Sequence, residues 1–355
     1  MNKLKKIGLS ALCGSLAAVS ANAGELSVSG GATITYSSNE KETTGNPLGM
    51  ASAVGFAGSG ELDNGWTVNL AIDNNDKSAY SASSLTLTTN SIGSFKVVSG
   101  SGGVGLAAMD DKMPSAWEET WGTSLGTSVN LQKGVGSGQA LAWKLPTVAG
   151  VTLEITHSPK NDGAQVSDKA GSGGAVSGLG KGTDVSLNIN PSFGIDALSG
   201  VNIFGAYSVT DKENPDVSAG TNDDLDEDTV EEGTVGMTVA IGPLTVGAQV
   251  AGEYLGVRGS VDRTAAAGYK NNFWGASFNV NDNLSISYGE MESRKMFEQQ
   301  GDYESVELTA ESWQIAYTMG GASLKIAETD ATNIGYSTTA YNDRGATTLA
   351  LTLAF

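Results

Sequence analysis

The sequence predicts an all-β chain, a transmembrane antiparallel β-barrel of about sixteen strands, and three observations support this prediction. Apolar and polar residues alternate with a period of two along short segments, as they do in strands with one apolar face. The connections between these segments are alternately short and long. After the first 23 residues, no segment approaches the roughly 18 consecutive apolar residues of a spanning helix, so the chain is either soluble or a membrane barrel.

The two outermost strands show the alternation most clearly. Near the start, Leu26, Val28, Ala32, Ile34 and Tyr36 alternate with serines and threonines. At the other end, Leu349, Leu351, Leu353 and Phe355 alternate with threonines and alanines. Because lipid cannot satisfy the hydrogen bonds of a free sheet edge, the first strand must pair with the last, and Phe355 is predicted to end the closing strand.

Seven strand pairs with short turns lie between these ends. They span residues 54–72, 85–97, 141–155, 185–209, 235–250, 274–288 and 313–326. The longer, polar connections are 37–49, 73–81, 100–137, 159–181, 210–231, 255–268, 292–304 and 329–344. An even strand number places both termini on the periplasmic side, with short periplasmic turns and long extracellular loops. Residues 127–131 could form an extra strand fragment, so the count is approximate.

A soluble β-sandwich is the alternative architecture. Its long loops would not lie at one end only, and its outer face would be charged. Here the apolar parity contains almost no charge through the strand centres. Aromatic residues of that parity lie mostly towards strand ends, as in the girdles at the two lipid interfaces. These aromatics are Tyr36, Trp143, Tyr207, Tyr254, Trp274, Tyr288, Tyr317 and Phe355. The barrel is therefore favoured.

The first 23 residues have the pattern of a secretory signal peptide. Lys3, Lys5 and Lys6 precede an apolar stretch from Ile7 to Val19, and small residues follow up to Ala23. We expect cleavage after Ala23, which leaves residues 24–355 as a single barrel domain. The only cysteine, Cys13, would leave with this segment, so disulfides and thiol chemistry are not expected in the mature chain.

The net charge of −19 argues against a nucleic-acid partner, because binding to phosphates requires an excess of Lys and Arg. The only histidine, His157, lies on the outward parity at a strand end. A barrel that is a lipase or protease needs a His beside a Ser or an acid at its rim. We therefore expect no enzymatic activity.

The signal peptide, the start at Gly24 (Gly-Glu-Leu-Ser-Val-Ser-Gly), the paired strands, the long third loop and the terminal Leu-Thr-Leu-Ala-Phe together resemble the general diffusion porins of Gram-negative bacteria, especially the alphaproteobacterial type. The resemblance covers the whole mature chain. It implies an outer-membrane protein, a homotrimer of sixteen-stranded barrels, and a third loop that folds into each lumen. Outer-membrane lipid, lipopolysaccharide and small hydrophilic solutes are the implied partners.

The third long loop, residues 100–138, is the predicted pore constriction. Its acidic residues are Asp110, Asp111, Glu118 and Glu119. If the loop folds inward, the opposite wall should be basic, since a transverse field favours polar solutes. The alternation predicts that Lys96, Lys144 and Lys325 point into the lumen, because a lysine that faces lipid in the middle of the bilayer costs roughly 2 to 4 kcal/mol. Glu154 and Asp184 face inward by the same rule. Among the loop arginines Arg258, Arg263, Arg294 and Arg344, only Arg344 is assigned to the constriction.

A run of carboxylates at residues 223–232 has two interpretations. It can be a solvated loop, or a weak divalent-cation site at Asp224, Asp226, Asp228 and Glu231 that takes calcium or magnesium. It lacks the glycine of an EF-hand turn. No cofactor is required for the expected function.

The expected function is passive diffusion of small hydrophilic solutes and ions through a water-filled pore in the outer membrane. A substrate-preferring channel and a non-conducting structural or adhesin barrel are the alternatives. The transported solute and the ion selectivity do not follow from the sequence.

Overall fold

The computed structural model describes most of the chain downstream of the predicted signal peptide. The described residues are 23–40, 46–76, 82–100, 103–123, 125–136, 138–161, 179–191, 198–212, 229–256, 266–297 and 305–354. Within them, the chain forms a closed antiparallel barrel of sixteen strands in which each strand pairs with its neighbours in sequence. The predicted fold class is therefore confirmed.

The strands are numbered β1 to β16 in chain order. Their bounds are Ala23–Asn39, Leu48–Glu61, Thr67–Asn75, Ala82–Thr88, Ser94–Ser99, Ala140–Lys144, Val151–Ser158, Leu179–Ile189, Val201–Lys212, Thr229–Ile241, Leu244–Tyr254, Ala266–Asn281, Leu284–Phe297, Val306–Met319, Ala322–Thr332 and Arg344–Ala354. Three short 3-10 helices lie in the described loops: Gly105–Met109, Ile334–Tyr336 and Ala340–Asn342. Among the described residues, no helix has the length and apolar character needed to cross a membrane.

The barrel closes where β1 pairs with β16. The register runs from Gly31 opposite Ala354 to Asn39 opposite Ala346, so nine residue pairs join the two ends of the chain. Each backbone group left unpaired in lipid would cost several kcal/mol, which is the physical reason for closure. Phe355, assigned to barrel closure from the sequence, lies outside the described residues.

Short turns and long connections alternate around the barrel as predicted. The turn between β2 and β3 is closed by backbone hydrogen bonds from Leu62 N to Trp66 O (2.7 Å) and from Gly65 N to Leu62 O (2.8 Å). Residues 127–131, considered as an extra strand, do not form one and belong to the third long loop.

Several strands extend further towards the long loops than the apolar alternation indicates. The loop predicted at 292–304 begins later, because β13 continues to Phe297. Similarly, β10 begins at Thr229, inside the loop predicted at 210–231. The backbone ladder persists after the side chains become polar, since a strand that has left the lipid still gains from cross-strand hydrogen bonds. Apolar periodicity therefore marks the lipid-facing part of a strand, not its end.

The outward face is apolar except towards the long loops, and it has an aromatic cluster on β12 to β14. The ring centroids of Trp274 and Tyr288 are 5.2 Å apart, and those of Tyr288 and Trp313 are 4.4 Å apart. The Tyr288 hydroxyl donates to Glu311 Oε2 at 2.6 Å, so this ring joins the apolar band to a polar band above it. An apolar ring with a polar tip is the expected side chain at a lipid interface.

Candidate pore constriction

The third long loop connects β5 to β6 and is held at its neck by two inward carboxylates. Gly105 N donates to Glu154 Oε1 of β7 at 2.8 Å, and Leu106 N donates to Asp184 Oδ2 of β8 at 2.9 Å. On the returning part of the loop, Val135 N donates to both oxygens of the same Asp184 at 3.2 Å. Asp184 therefore ties the two legs of the loop to one point on the wall.

Two glycines make this close approach possible. A Cβ atom built at Gly105 would lie 2.3 Å from Asp184 Oδ2, and one built at Gly134 would lie 2.6 Å from it. Both glycines also have positive φ values, 59° and 53°. A side chain at either position would displace the carboxylate and strain the backbone.

The outgoing leg, residues 103–122, runs along the inner wall away from β8. Three wall side chains accept hydrogen bonds from its backbone. Lys112 N donates to Gln249 Oε1 of β11 at 3.0 Å, and Ala116 N donates to Ser287 Oγ of β13 at 2.8 Å. Trp117 N donates to Gln314 Oε1 of β14 at 3.0 Å. At the far end, Thr348 Oγ1 of β16 donates to Thr123 O at 3.1 Å. This leg therefore follows the wall as far as the closing strand β16.

The return leg, residues 125–136, comes back along the same wall. Asn271 Nδ2 of β12 donates to Asn130 O at 2.8 Å, and Lys133 N donates to Glu232 Oε1 of β10 at 2.9 Å. An apolar cluster holds the tip between loop and wall, and the rings of Trp121 and Phe273 are 5.2 Å apart in it. Its buried members are Leu125, Ala251, Phe273, Met291, Leu308, Ala310, Ala331, Ile334 and Ala346.

The inner wall formed by β1 to β4 stays exposed opposite the loop. Its inward side chains are small or polar and accessible; they include Ser27, Ala57, Ser59, Asn69 and Asp73. A concavity of about 390 Å³ on this wall is bounded by Ser27, Asn69, Thr86 and Lys96 among others. The lumen therefore has two unlike sides, one covered by the loop and one bare.

The four acidic residues of the loop form two adjacent pairs. Burial raises the pKa of Asp111 to about 7, and the charges of Glu119 and Asp110 act in the same direction. Burial also raises the pKa of Asp110. The pKa of Glu118 is raised by burial and by a hydrogen bond shared with the Glu119 carboxyl, while Lys325 opposes the shift. Glu119 and the loop's own Lys112 are exposed.

The predicted basic residues lie at different places. Lys96 is on the bare side of the lumen, and Lys144 is exposed at the periplasmic end of β6. Lys325 is inward, but its Nζ lies 5.9 Å from the centroid of the Trp117 ring. It therefore accompanies the loop acids, and the expectation that it faces them from the opposite wall is corrected.

Two of the four arginines expected in loops lie in strands. Arg344 is the first residue of β16 and not a loop residue, and it lies on the inward parity opposite Ala331. Arg294 belongs to β13, where its guanidinium forms an outward ion pair with Glu307. Arg258 and Arg263 lie outside the described residues.

Most of the predicted divalent-cation site lies outside the described residues, namely Asp224, Asp226 and Asp228. Glu231 is on the outward face of β10, where its Oε2 accepts the Tyr207 hydroxyl at 2.5 Å. In the described ranges, no group of three or more His, Cys, Asp or Glu side chains could hold a metal ion. The cation site stays a prediction.

His157 is exposed on the outer face of β7, and its Nδ1 lies 3.0 Å from Thr183 Oγ1 of β8. It therefore points away from the lumen.

The sequence did not predict the role of the residues that hold the loop. Parity alone placed Asp184 inward, but it did not indicate a role, and Gln249, Asn271 and Gln314 were not singled out. In the sequence, the available sign of such a residue is a carboxylate or amide side chain at an inward position in the middle of a strand. This sign shows that the side chain needs a hydrogen-bond partner, but not which loop supplies that partner.

Together the closed barrel, the internal loop and the bare polar wall define a pore-forming transmembrane barrel. The family model of the Gram-negative porins matches residues 8–319. The chain therefore belongs to the Gram-negative porin family, and the protein is a diffusion pore of the outer membrane. No curated protein sequence matches significantly.

Solved structures share the fold at low sequence identity. A loop-deletion mutant of OmpT, an outer membrane protein of Vibrio cholerae, aligns with a TM-score of 0.63 at 10% identity, covering 93% of this chain and 99% of that one. OmpF of Salmonella typhi, in complex with daunomycin, has a TM-score of 0.62 at 15% identity, with coverages of 93% and 97%. An anion-selective porin from Comamonas acidovorans has a TM-score of 0.58 at 11% identity, with coverages of 93% and 99%.

Proposed function

We propose that small hydrophilic solutes and ions diffuse passively between the third long loop and the bare wall of β1 to β4. The observation that supports this most strongly is the one-sided attachment of the loop. Its hydrogen bonds reach inward residues from β7 to β16, whereas inward polar side chains of β1 to β3 such as Ser27, Ser59 and Asn69 stay exposed to the lumen. Water and polar solutes can wet such a wall without a cost in unpaired groups.

The proposed selectivity is a preference for cations, set by the loop acids Asp110, Asp111, Glu118 and Glu119. Lys96 faces the lumen on the side that the loop leaves uncovered, so a transverse field would cross the path between it and the loop acids. The exposed Glu119 and the overall charge of −19 favour cations near the constriction.

We further propose that the pore is a homotrimer. Strands β4, β5 and β6 contain seven, six and five residues. A strand needs roughly 9 to 11 residues to cross a bilayer, so this sector of the barrel is too short to face lipid alone. Neighbouring copies of the chain would cover it. The remaining outer face would contact outer-membrane lipid and lipopolysaccharide.

Passive diffusion is driven by the solute gradient and requires neither a cofactor nor a catalytic group, so we propose that the protein is not an enzyme. We also propose that residues 1–23 are a signal peptide cleaved after Ala23. Sequencing the N-terminus of protein purified from outer membranes should then give Gly24 as the first residue. A mature chain that still begins at Met1 would contradict the cleavage.

The decisive experiment is conductance in a planar lipid bilayer. Purified, folded protein should insert in events that open three equal conductance levels, with a linear current at low voltage. Barrel folding is checked separately by heat-dependent migration on denaturing gels. Folded protein that passes no current would overturn the proposed pore, and single steps of one level would overturn the trimer only.

A further inference from the structure

Two buried glutamines of the inner wall contact the outgoing leg of the loop at its two acidic pairs. Gln249 on β11 is 2% exposed and Gln314 on β14 is 3% exposed. Both have inward parity, and each forms hydrogen bonds through both ends of its amide group.

Gln249 holds the backbone around Asp110 and Asp111. Its Oε1 accepts Lys112 N at 3.0 Å, and the two hydrogens of its Nε2 point to Met109 O at 2.7 Å and to Thr234 Oγ1 at 2.8 Å. Asp110 O lies 3.2 Å from the same nitrogen and shares one of these hydrogens.

Gln314 holds the backbone around Glu118 and Glu119. Its Oε1 accepts both Trp117 N and Glu118 N at 3.0 Å, and its Nε2 donates to Glu118 O at 2.8 Å. Ser312 Oγ lies 3.3 Å from that nitrogen.

These hydrogen bonds satisfy peptide groups of the outgoing leg that would otherwise be unpaired inside the barrel. The outgoing leg forms no β-ladder with the wall, so its peptide groups need other partners inside the barrel. An amide side chain offers the donor and acceptor that a neighbouring strand would offer. Because the bonds end on the backbone beside each acidic pair, they determine where the carboxylates stand.

We infer that Gln249 and Gln314 are positioning residues for ion selectivity, Gln249 for Asp110 and Asp111 and Gln314 for Glu118 and Glu119. This inference rests on the proposed conduction past the loop acids. It assigns the two pairs to separate supports, so the larger part of each effect belongs to one pair, although the charge of Glu119 also acts on Asp110 and Asp111.

The charged groups around each pair are few. Asp111 interacts with Asp110, Glu119 and Lys112, and Asp110 also with Lys133. Glu118 interacts with Glu119 and Lys325. Lys325, which acts on Glu118, lies on β15, and Lys133, which acts on Asp110, lies on the return leg. Neither interaction passes through the side chain of Gln249 or Gln314.

The test is a double-mutant cycle on the cation-to-anion permeability ratio, measured from the reversal potential in a salt gradient. Gln249→Met and Gln314→Met keep the side-chain length and remove the hydrogen bonds. We expect each to lower the ratio about twofold, the change produced by moving one charge several ångströms in water. The effect of Gln249→Met should vanish when Asp110→Asn and Asp111→Asn are present, but persist with Glu118→Gln and Glu119→Gln. Gln314→Met should show the reverse pattern.

The matched control is Thr348→Val, which removes a buried hydrogen bond to the outgoing leg at Thr123, beyond both acidic pairs. It should lower the permeability ratio by much less than either glutamine variant. If it changes the ratio as much as the glutamine variants, or if both glutamines couple equally to both pairs, general loosening of the loop explains the data and the inference is wrong. If a Met variant does not fold, Gln249→Ser and Gln314→Ser replace it, since they leave room for water. Wild-type protein that conducts without selectivity would overturn the inference and leave the pore standing, whereas absence of current would overturn the pore itself.

Discussion

Replacing Asp184 with alanine should release the neck of the third long loop and raise the single-channel conductance. The Asp184 carboxylate accepts Leu106 N on the outgoing leg and Val135 N on the return leg. Each backbone amide that loses its partner in a buried site costs about 1 to 3 kcal/mol. Since one carboxylate serves both legs, its loss would weaken the attachment of both at once and leave Glu154 and Glu232 as the carboxylates that still hold them.

The measurement is conductance in planar bilayers, together with the rate at which sugars of increasing size enter proteoliposomes. Asp184→Ala should give a larger and noisier open level and admit larger sugars. Asp73→Ala is the matched control, because Asp73 is an exposed, inward carboxylate on the bare wall and its loss removes the same charge. Equal conductance in the two variants would show that charge, not loop attachment, controls the opening.

The preference for cations should rise with pH between about 5 and 9. An acid with a raised pKa is neutral below that pKa and negative above it. The pKa of Asp111 is about 7, and the pKa values of Asp110 and Glu118 are also raised, so the loop gains negative charge as pH increases through this range. A charge roughly 8 Å from the ion path contributes about 0.5 kcal/mol in water, or about a twofold change in local cation concentration.

Reversal potentials at several pH values would measure this titration. The Asp111→Asn, Glu118→Gln double variant should have a much flatter profile than wild-type protein, and the effect should weaken in 1 M salt because the screening length falls to about 3 Å. A double variant that keeps the full rise with pH would show that groups elsewhere set the selectivity.

Strand pairing and strand number followed from local information. Each hairpin contains its own turn residues and its own parity, and an antiparallel neighbour in sequence is also the neighbour in space. The same parity placed Lys96, Lys144 and Lys325 inward without reference to the rest of the chain. Strand ends were less well predicted, because the ladder of β13 continues to Phe297 beyond the apolar residues.

The path of the third long loop could not be derived in this way. Its residues have no periodicity, and inward parity does not distinguish one part of the wall from another. Lys325 shows the consequence, since it lies beside Trp117 instead of across from the loop acids. The loop contacts strands up to 225 residues away in sequence, such as Thr348 at Thr123. Contacts of that kind depend on the curvature and closure of the whole barrel.

Local patterns of the sequence are enough to predict a closed barrel with polar residues inside, because alternation and turn chemistry are local properties of the chain. Which inward residues hold the loop and which line the path depends on the closed tertiary structure. Asp184, Gln249 and Gln314 became identifiable only when closure placed them against loop backbone, because their function depends on partners that are distant in the chain.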